Sequence, residues 1–164
     1  MSVRGDKGFT LGECNMIVSK NSPFVRAVGM IDELQARVAF VRVLLKDKEN
    51  KNFENIEKNL YQIMGSLYKG VEWQEGEEKI EDLDNKIKFY SEKYGDPKKF
   101  LIPGRNELEV RLNFCRTGCR LAEEELVSLK EEYEKQKKFF DEKALKYINK
   151  LSTYLYWLWR EYLN

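Results

Sequence analysis

Apolar residues recur at alternating steps of three and four over most of the chain beyond residue 22, the spacing that lines one face of a helix. Val28, Ile31, Val38, Val41 and Leu45 make a first stripe, opened by Ser22-Pro23, a strong helix-start pair. Phe53, Ile56, Leu60, Ile63 and Leu67 make a second. Ile80, Leu83, Ile87, Tyr90 and Tyr94 make a third, closed by Gly95-Asp96-Pro97. A fourth follows Pro103-Gly104 and carries the longest seam: Leu108, Leu112, Cys115, Cys119, Ala122, Leu126 and Leu129. The fifth runs from about Asp141 to Tyr162, with Leu145, Ile148, Leu151, Leu155 and Leu158 on one side.

Period-two alternation is not sustained anywhere, so no sheet is expected. The charged runs at 46–52 and 74–78 read as solvated turns, and residues 1–22 show no helical period. The expected fold class is all-α: a five-helix antiparallel bundle over 23–164 with an irregular N-terminal arm over 1–22, the whole forming one domain. The fifth helix holds Tyr154, Tyr156, Trp157, Trp159 and Tyr162, more aromatics than one buried stripe takes, so part of that face is expected to meet another subunit.

Composition narrows the chemistry. Hydrophobic residues at 42% beside charged residues at 35% describe a core under a charged coat, and a net charge of +1 gives no field to attract nucleic acid or an acidic membrane. No apolar run is long enough to span a membrane, and the first residues lack a signal-peptide core, so the cytoplasm is the expected compartment. The three cysteines, Cys14, Cys115 and Cys119, do not form a disulfide framework; Cys115 and Cys119 read as small core-filling residues. Histidine is absent, which removes Ser-His-Asp and Cys-His nucleophiles and any imidazole base. Chemistry here must rest on carboxylates, on positive charge and positioning, or on a cofactor.

Arg116 and Arg120 sit one turn apart on the fourth helix, each one residue past a seam cysteine. Guanidinium groups flanking a buried stripe need an acceptor, whether a carboxylate in a structural network or the phosphate of a ligand. The run Arg4-Gly5-Asp6-Lys7-Gly8-Phe9-Thr10 brings glycines that let backbone amides approach a polyanion, with Lys7 and Thr10 as further donors. It is not a Walker A loop, because G-x-x-x-x-G-K-[ST] is missing. Asp32 falls beside the Val28 and Ile31 stripe, so partial burial and a cationic partner such as Arg116 are expected. Asn149 places an amide in an otherwise apolar helix, either as a satisfied core group or as a ligand contact.

Taken in order, RGDKGFT, AVGMIDEL, FLIPG, RTGCRLAE and INKLS resemble the PduO-type ATP:cob(I)alamin adenosyltransferases over nearly the whole chain. That resemblance implies a five-helix bundle assembled as a homotrimer, with ATP, Mg²⁺ and cobalamin bound at the boundaries between subunits. It implies transfer of the 5′-deoxyadenosyl group from ATP to cob(I)alamin, with a corrinoid reductase and an adenosylcobalamin-dependent enzyme as possible partners. By the same resemblance the arm (Ser2, Val3, Arg4, Gly5, Asp6, Lys7 and Thr10) folds over the triphosphate, aided by Lys20. Arg120 contacts the phosphates with Glu123 and Glu124 beside it, and Asn149 contacts the nucleoside. Asp32 pairs with Arg116 across the subunit boundary, and Phe100 presses on the lower face of the corrin.

The chain departs from the family pattern at several points. Ser2 and Val3 replace Thr followed by Lys or Arg, Glu124 replaces an arginine of the phosphate shell, Lys150 replaces an arginine and Thr153 an acid. Two readings therefore stay open: an active transferase with a rearranged phosphate shell, or a non-catalytic nucleotide- or corrinoid-binding relative acting as a chaperone or regulatory subunit.

Overall fold

A computed structural model describes residues 5–95 and 102–162. Five helices carry the chain: α1 Pro23–Arg42, α2 Asp47–Lys69, α3 Gly76–Tyr94, α4 Glu107–Lys135 and α5 Glu142–Glu161. Their starts are written in the sequence as side-chain caps. The Ser22 hydroxyl accepts the Val25 amide at 3.3 Å with Pro23 in the first turn, and Asn106 accepts the Glu109 amide at 2.9 Å. Asp141 caps α5 through the Lys143 amide at 3.1 Å and also accepts the Trp73 amide at 2.6 Å, tying the α2–α3 connection to the start of α5. Gly70 ends α2 at φ 65°, a left-handed position that a side chain with a Cβ enters only under strain.

The five stripes face one core. Every residue of the first two is buried, as are Ile80 and Leu83 of the third, while Ile87 and Tyr90 pack at its margin. Cys115 and Cys119 are fully buried within it, in the core-filling role that the sequence suggests. α4 lies between α1 and α5, α2 beside α1, and α3 beside α5. The neighbours α1 and α4 run antiparallel, since Arg26 meets Glu125 and Arg37 meets Phe114; so do α4 and α5, where Asn149 meets Glu123 and Trp159 meets Glu109. α3 and α5 run in the same direction instead, because Asp84 meets Lys150 and Lys93 meets Glu161.

Three expectations need correction. The arm contains a small antiparallel sheet, β1 Phe9–Leu11 with β2 Ile17–Ser19, in which Thr10 faces Val18. Three-residue strands are too short for alternation to register. The ribbon instead gains its support at the turn, where Cys14 and Asn15 take positive φ and Glu13 accepts Tyr133 Oη at 3.0 Å and Lys138 Nζ at 3.2 Å. The charged runs are not turns throughout: α2 starts at Asp47 and α3 at Gly76, with Asp47, Glu49, Glu77 and Glu78 placed where a helix N-terminus favours negative charge. The aromatics of α5 are mostly used inside the chain. Tyr154, Trp157 and Trp159 are buried, and Tyr156 and Tyr162 are half-buried. The large exposed aromatic rings lie elsewhere, including Phe40 on α1, Phe114 on α4 and Phe89 on α3. Among the described residues no helix is long and apolar enough to cross a membrane.

Candidate active site

α4 presents two polar edges beside its buried seam, and the neighbouring helices tell them apart. Arg116, Arg120 and Glu123 follow one another at i, i+4 and i+7 and so share one edge. That edge faces α5, because Asn149 Nδ2 of α5 donates to Glu123 Oε1 at 2.7 Å. Arg116 is half-buried and donates through Nε to Asn113 Oδ1 at 3.1 Å. Arg120 is exposed. Among the described residues neither arginine forms an ion pair. Two guanidinium groups a turn apart repel each other, and an anion placed between them relieves that repulsion.

The reading of Asn149 is corrected in part: its side chain is exposed on the edge of α5 that faces α4, not placed in the core. Ile148 and Leu151 take the buried positions around it, since one step along a helix turns a side chain through 100° and off the core face. Lys150, next along, is committed to Asp84 Oδ1 of α3 at 2.5 Å. Glu124 is exposed and makes no ion pair with Arg120 one turn before it among the described residues; Ser128 Oγ donates to its peptide oxygen at 3.1 Å.

Asp32 is exposed rather than partly buried. It lines a shallow groove on α1 and the adjoining edge of α2 with Gly29, Glu33, Gln35, Ala36, Ala39 and Glu57. The α1 side of α4 is marked by Arg37 Nη1, which donates to the Phe114 carbonyl at 3.3 Å, whereas Arg116 lies on the α5 side. Asp32 and Arg116 are therefore not partners within one chain.

The arm brings together Gly5, Asp6, Lys7, Thr10 and Lys20. The single 3₁₀ turn Gly5–Lys7 leads into Gly8 at φ 78°, and Lys20 binds this loop twice: its amide donates to Gly8 O at 2.8 Å and its Nζ to Gly5 O at 2.9 Å. Lys20 thus folds the arm. Asp6 and Lys7 stay exposed on it and Thr10 is half-buried. Ser2, Val3, Arg4 and Phe100 lie outside the described residues.

Burial pushes the Cys119 thiol well above its usual range, with Cys115 and Glu123 adding to the rise and Arg116 opposing it. The thiol stays protonated and takes no part as a nucleophile.

Sequence reasoning missed two features. The first is Glu109, fully buried one helical turn inside α4, for which Asn106-x-x-Glu109 was a readable capping signal. The second is an open apolar groove of about 640 Å³ lined by Phe40, Gly104, Asn106, Val110, Arg111 and Phe114. Phe40 and Phe114 stand outside the helical stripes, and only the α1–α4 pairing brings them together.

Against this geometry the comparisons are direct. The family described as cobalamin adenosyltransferase matches residues 1–162 of the chain. The chain belongs to that family. It is 32% identical over 163 residues to the corrinoid adenosyltransferase PduO of Citrobacter freundii, covering 95% of this chain and 47% of that protein. It is 30% identical over 166 residues to the corrinoid adenosyltransferase MMAB of Mus musculus, covering 93% and 67%. The chain therefore spans about half the length of the Citrobacter relative. In three dimensions it is similar to a variant PduO-type ATP:corrinoid adenosyltransferase from Lactobacillus reuteri complexed with cobalamin and ATP. There the TM-score is 0.82 at 27% identity, over 99% of this chain and 91% of that one. A second variant from that organism, complexed with ATP, gives 0.83 at 27%, over 99% and 93%.

Proposed function

We propose that this chain transfers the 5′-deoxyadenosyl group of ATP to cob(I)alamin, releasing triphosphate, at a site shared between two copies of the chain. The observation that carries this reading is the pair Arg116 and Arg120: two guanidinium groups one turn apart, with no ion pair among the described residues, beside the Glu123–Asn149 hydrogen bond.

The reaction asks little proton chemistry of the protein. The electron pair of Co(I) attacks the ribose C5′, a Co–C bond forms, the C5′–O bond breaks, and its pair leaves on triphosphate. Cobalt passes from Co(I) to Co(III), and no group need remove a proton, which suits a chain without histidine. What remains for the protein is to hold C5′ in line and to neutralise a departing polyanion. Arg120 meets the phosphates, Arg116 adds charge from the turn before, and Asn149 stands at the nucleoside side with Glu123 orienting its amide. Lys7, Thr10 and the amides of Gly5 to Gly8 close over the phosphates from the arm, along with Ser2, Val3 and Arg4. Mg²⁺ is read as arriving with the triphosphate, whose oxygens are the hard donors it prefers. Glu124, exposed and without an ion pair among the described residues, is compatible with this shell.

The arm is tied to the end of the bundle where α2 and α4 finish, through Glu13, Tyr133 and Lys138, and through Cys14 Sγ against Lys69 O at 3.6 Å. Arg120 lies on the α5 side of α4, and Asp32 faces outward beside α1 and α2. An Asp32–Arg116 pair then requires a second copy of the chain, which is the reason to read the assembly as a homotrimer with the arm of one copy over the arginines of another. The apolar groove at Phe40, Val110 and Phe114 adjoins Gly104, just past Phe100, and offers a face for the corrin. ATP and a reduced corrinoid as substrates suit the cytoplasm, with a corrinoid reductase upstream.

The test is anaerobic single turnover with ATP and cob(I)alamin. Appearance of the adenosylcobalamin spectrum with one triphosphate per corrinoid supports the reading. Nucleotide binding without product contradicts it and favours the non-catalytic alternative.

A further inference from the structure

The turn of the arm ribbon is seated in a socket built from the ends of α2 and α4. Residues Glu13 to Met16 form the turn, with Cys14 and Asn15 at φ 51° and 62° and the Met16 amide donating to the Glu13 carbonyl at 3.0 Å. Glu13 opens the turn and aims its side chain inward. That side chain is 13% exposed, although Cys14, Asn15 and Met16 beside it are exposed. Its Oε2 accepts Tyr133 Oη at 3.0 Å and Lys138 Nζ at 3.2 Å. Its Oε1 lies against Gly70, where a Cβ would stand 2.9 Å from that oxygen. Glycine at 70 thus meets two needs, the left-handed end of α2 and room for this carboxylate.

The bundle prepares this socket from its own residues. Tyr133, in the last turn of α4, is buried with Phe140 edge-on to its ring. Lys137 takes φ 54°, which lets the Lys138 amide return to the Tyr133 carbonyl at 2.9 Å and sets the Lys138 ammonium 5.3 Å from the ring centre. Burial pushes the Tyr133 phenol above its usual range and the Glu13 hydrogen bond adds to the rise, so the phenol stays a donor. A carboxylate tie of the same kind joins α4 to α5 in the core. There burial works to raise the Glu109 carboxyl, but the Arg105 amide, the Trp159 indole and the Gly104 amide outweigh it and hold the group below the usual carboxylate range. The ribbon has little apolar hold of its own. Phe9, Leu11 and Ile17 stay about half exposed, and a two-stranded hairpin is marginal at best by itself in water.

We infer that Glu13 is a positioning residue for the nucleotide arm: seated between Gly70, Tyr133 and Lys138, it fixes the end of the ribbon from which the two strands carry the Gly5–Gly8 loop. This rests on the proposed reading of that loop as the cover over the triphosphate. β1 runs from the loop into the turn, and β2 returns to Lys20, whose Nζ and amide hold the loop at Gly5 and Gly8. The seat of the turn therefore sets the place of the loop through two paired strands. Glu13 acts through the ribbon and has no assigned contact with the nucleotide.

Glu13→Ala empties the socket, Glu13→Gln keeps its shape and loses the attraction of Lys138, and Tyr133→Phe removes one donor while keeping the ring. In Glu13→Ala, amide hydrogen exchange over residues 9–19 is expected to rise about tenfold or more, with exchange in α1, α4 and α5 unchanged. Its Kd and KM for ATP are expected to rise about fivefold or more, while KM for cob(I)alamin stays within about twofold. Glu13→Gln should recover part of that loss. Tyr133→Phe should add little in the Glu13→Ala background, since both changes cut the same contact. An equal rise in both KM values, unchanged ribbon exchange, or faster exchange with unchanged ATP affinity would overturn the inference. If the wild-type chain forms no adenosylated corrinoid, the proposed activity fails. Exchange and ATP affinity need no turnover and still decide the role of Glu13.

Discussion

Arginines lie along both edges of α4, some of them supplied by α1, and the two edges treat them in opposite ways. Toward α1, every arginine is matched: Arg26 pairs with Glu125 at 3.0 Å, and Arg37 pairs with Glu33 at 3.1 Å and caps the Phe114 carbonyl. Arg111 pairs with Glu107 and reaches the Phe40 carbonyl. Arg37 and Arg111 also lie over the Phe114 and Phe40 rings at 4.0 and 4.9 Å. Toward α5, among the described residues, Arg116 donates to the Asn113 amide oxygen and neither it nor Arg120 forms an ion pair. The same side chain serves packing on one edge and, on the proposed reading, serves a ligand on the other.

The comparison breaks most visibly at Arg120. Arg120→Ala is expected to lower kcat/KM for ATP by about a hundredfold or more, the scale of losing a donor aimed at developing charge, while the melting temperature moves by less than about 2 °C. Steady-state kinetics beside thermal melting checks this; a large drop in melting temperature would move Arg120 to the structural edge. Next comes Arg37→Met, expected to leave ATP kinetics within about twofold and to lower the melting temperature by a few degrees, through loss of packing at Phe114 and Gly118. Differential scanning fluorimetry with and without ATP reads both halves of that expectation.

A smaller effect should follow pH. The Glu109 carboxyl is held below its ordinary value of 4.5 in the folded state, so its stabilising share is present above that pH and is lost as pH falls below it. Melting temperature should therefore fall more steeply below pH 4.5 in the wild type than in Glu109→Gln, which has no carboxylate to protonate. Parallel curves would show that Glu109 carries no such linkage. The least expected change is at Glu124. Glu124→Gln should alter KM for ATP by no more than about twofold, because the side chain is solvated and screened. A marked fall in KM would show that it faces the triphosphate after all.

The helices were legible because their stripes and caps are local. Ser22, Asn106 and Asp141 each close the first turn of the helix they begin, and the first two stripes are buried to the last residue. What escaped was set by tertiary placement. Asn149 sits between core residues in sequence, yet the helix turns it outward to Glu123; Asp32 flanks a core stripe and still faces solvent. Lys20, read as a phosphate contact, also gives one donor of its ammonium group to the Gly5 carbonyl, a role in folding the arm that the sequence does not show. The arm hairpin was invisible because its strands span three residues and its stability comes from Tyr133 and Lys138, over a hundred residues away. The unmatched edge of α4 could be suspected from Arg116 and Arg120 beside the seam, but only the antiparallel docking of α1 and α5 shows which arginines have been given partners.

The central claim is that one nucleotide site takes its arginines from one copy of the chain and its arm from another. Mixing two inactive variants tests it most directly, Arg120→Ala with Lys7→Ala/Lys20→Ala, unfolded and refolded together. Random assembly into a ring gives each boundary an intact arginine edge with a chance of one half and an intact arm with the same chance. The account thus predicts recovery of about a quarter of wild-type adenosylation from the mixture and none from either variant alone. A mixture that stays inactive, although mass spectrometry shows mixed oligomers, would place arm and arginines in the same chain and contradict the account.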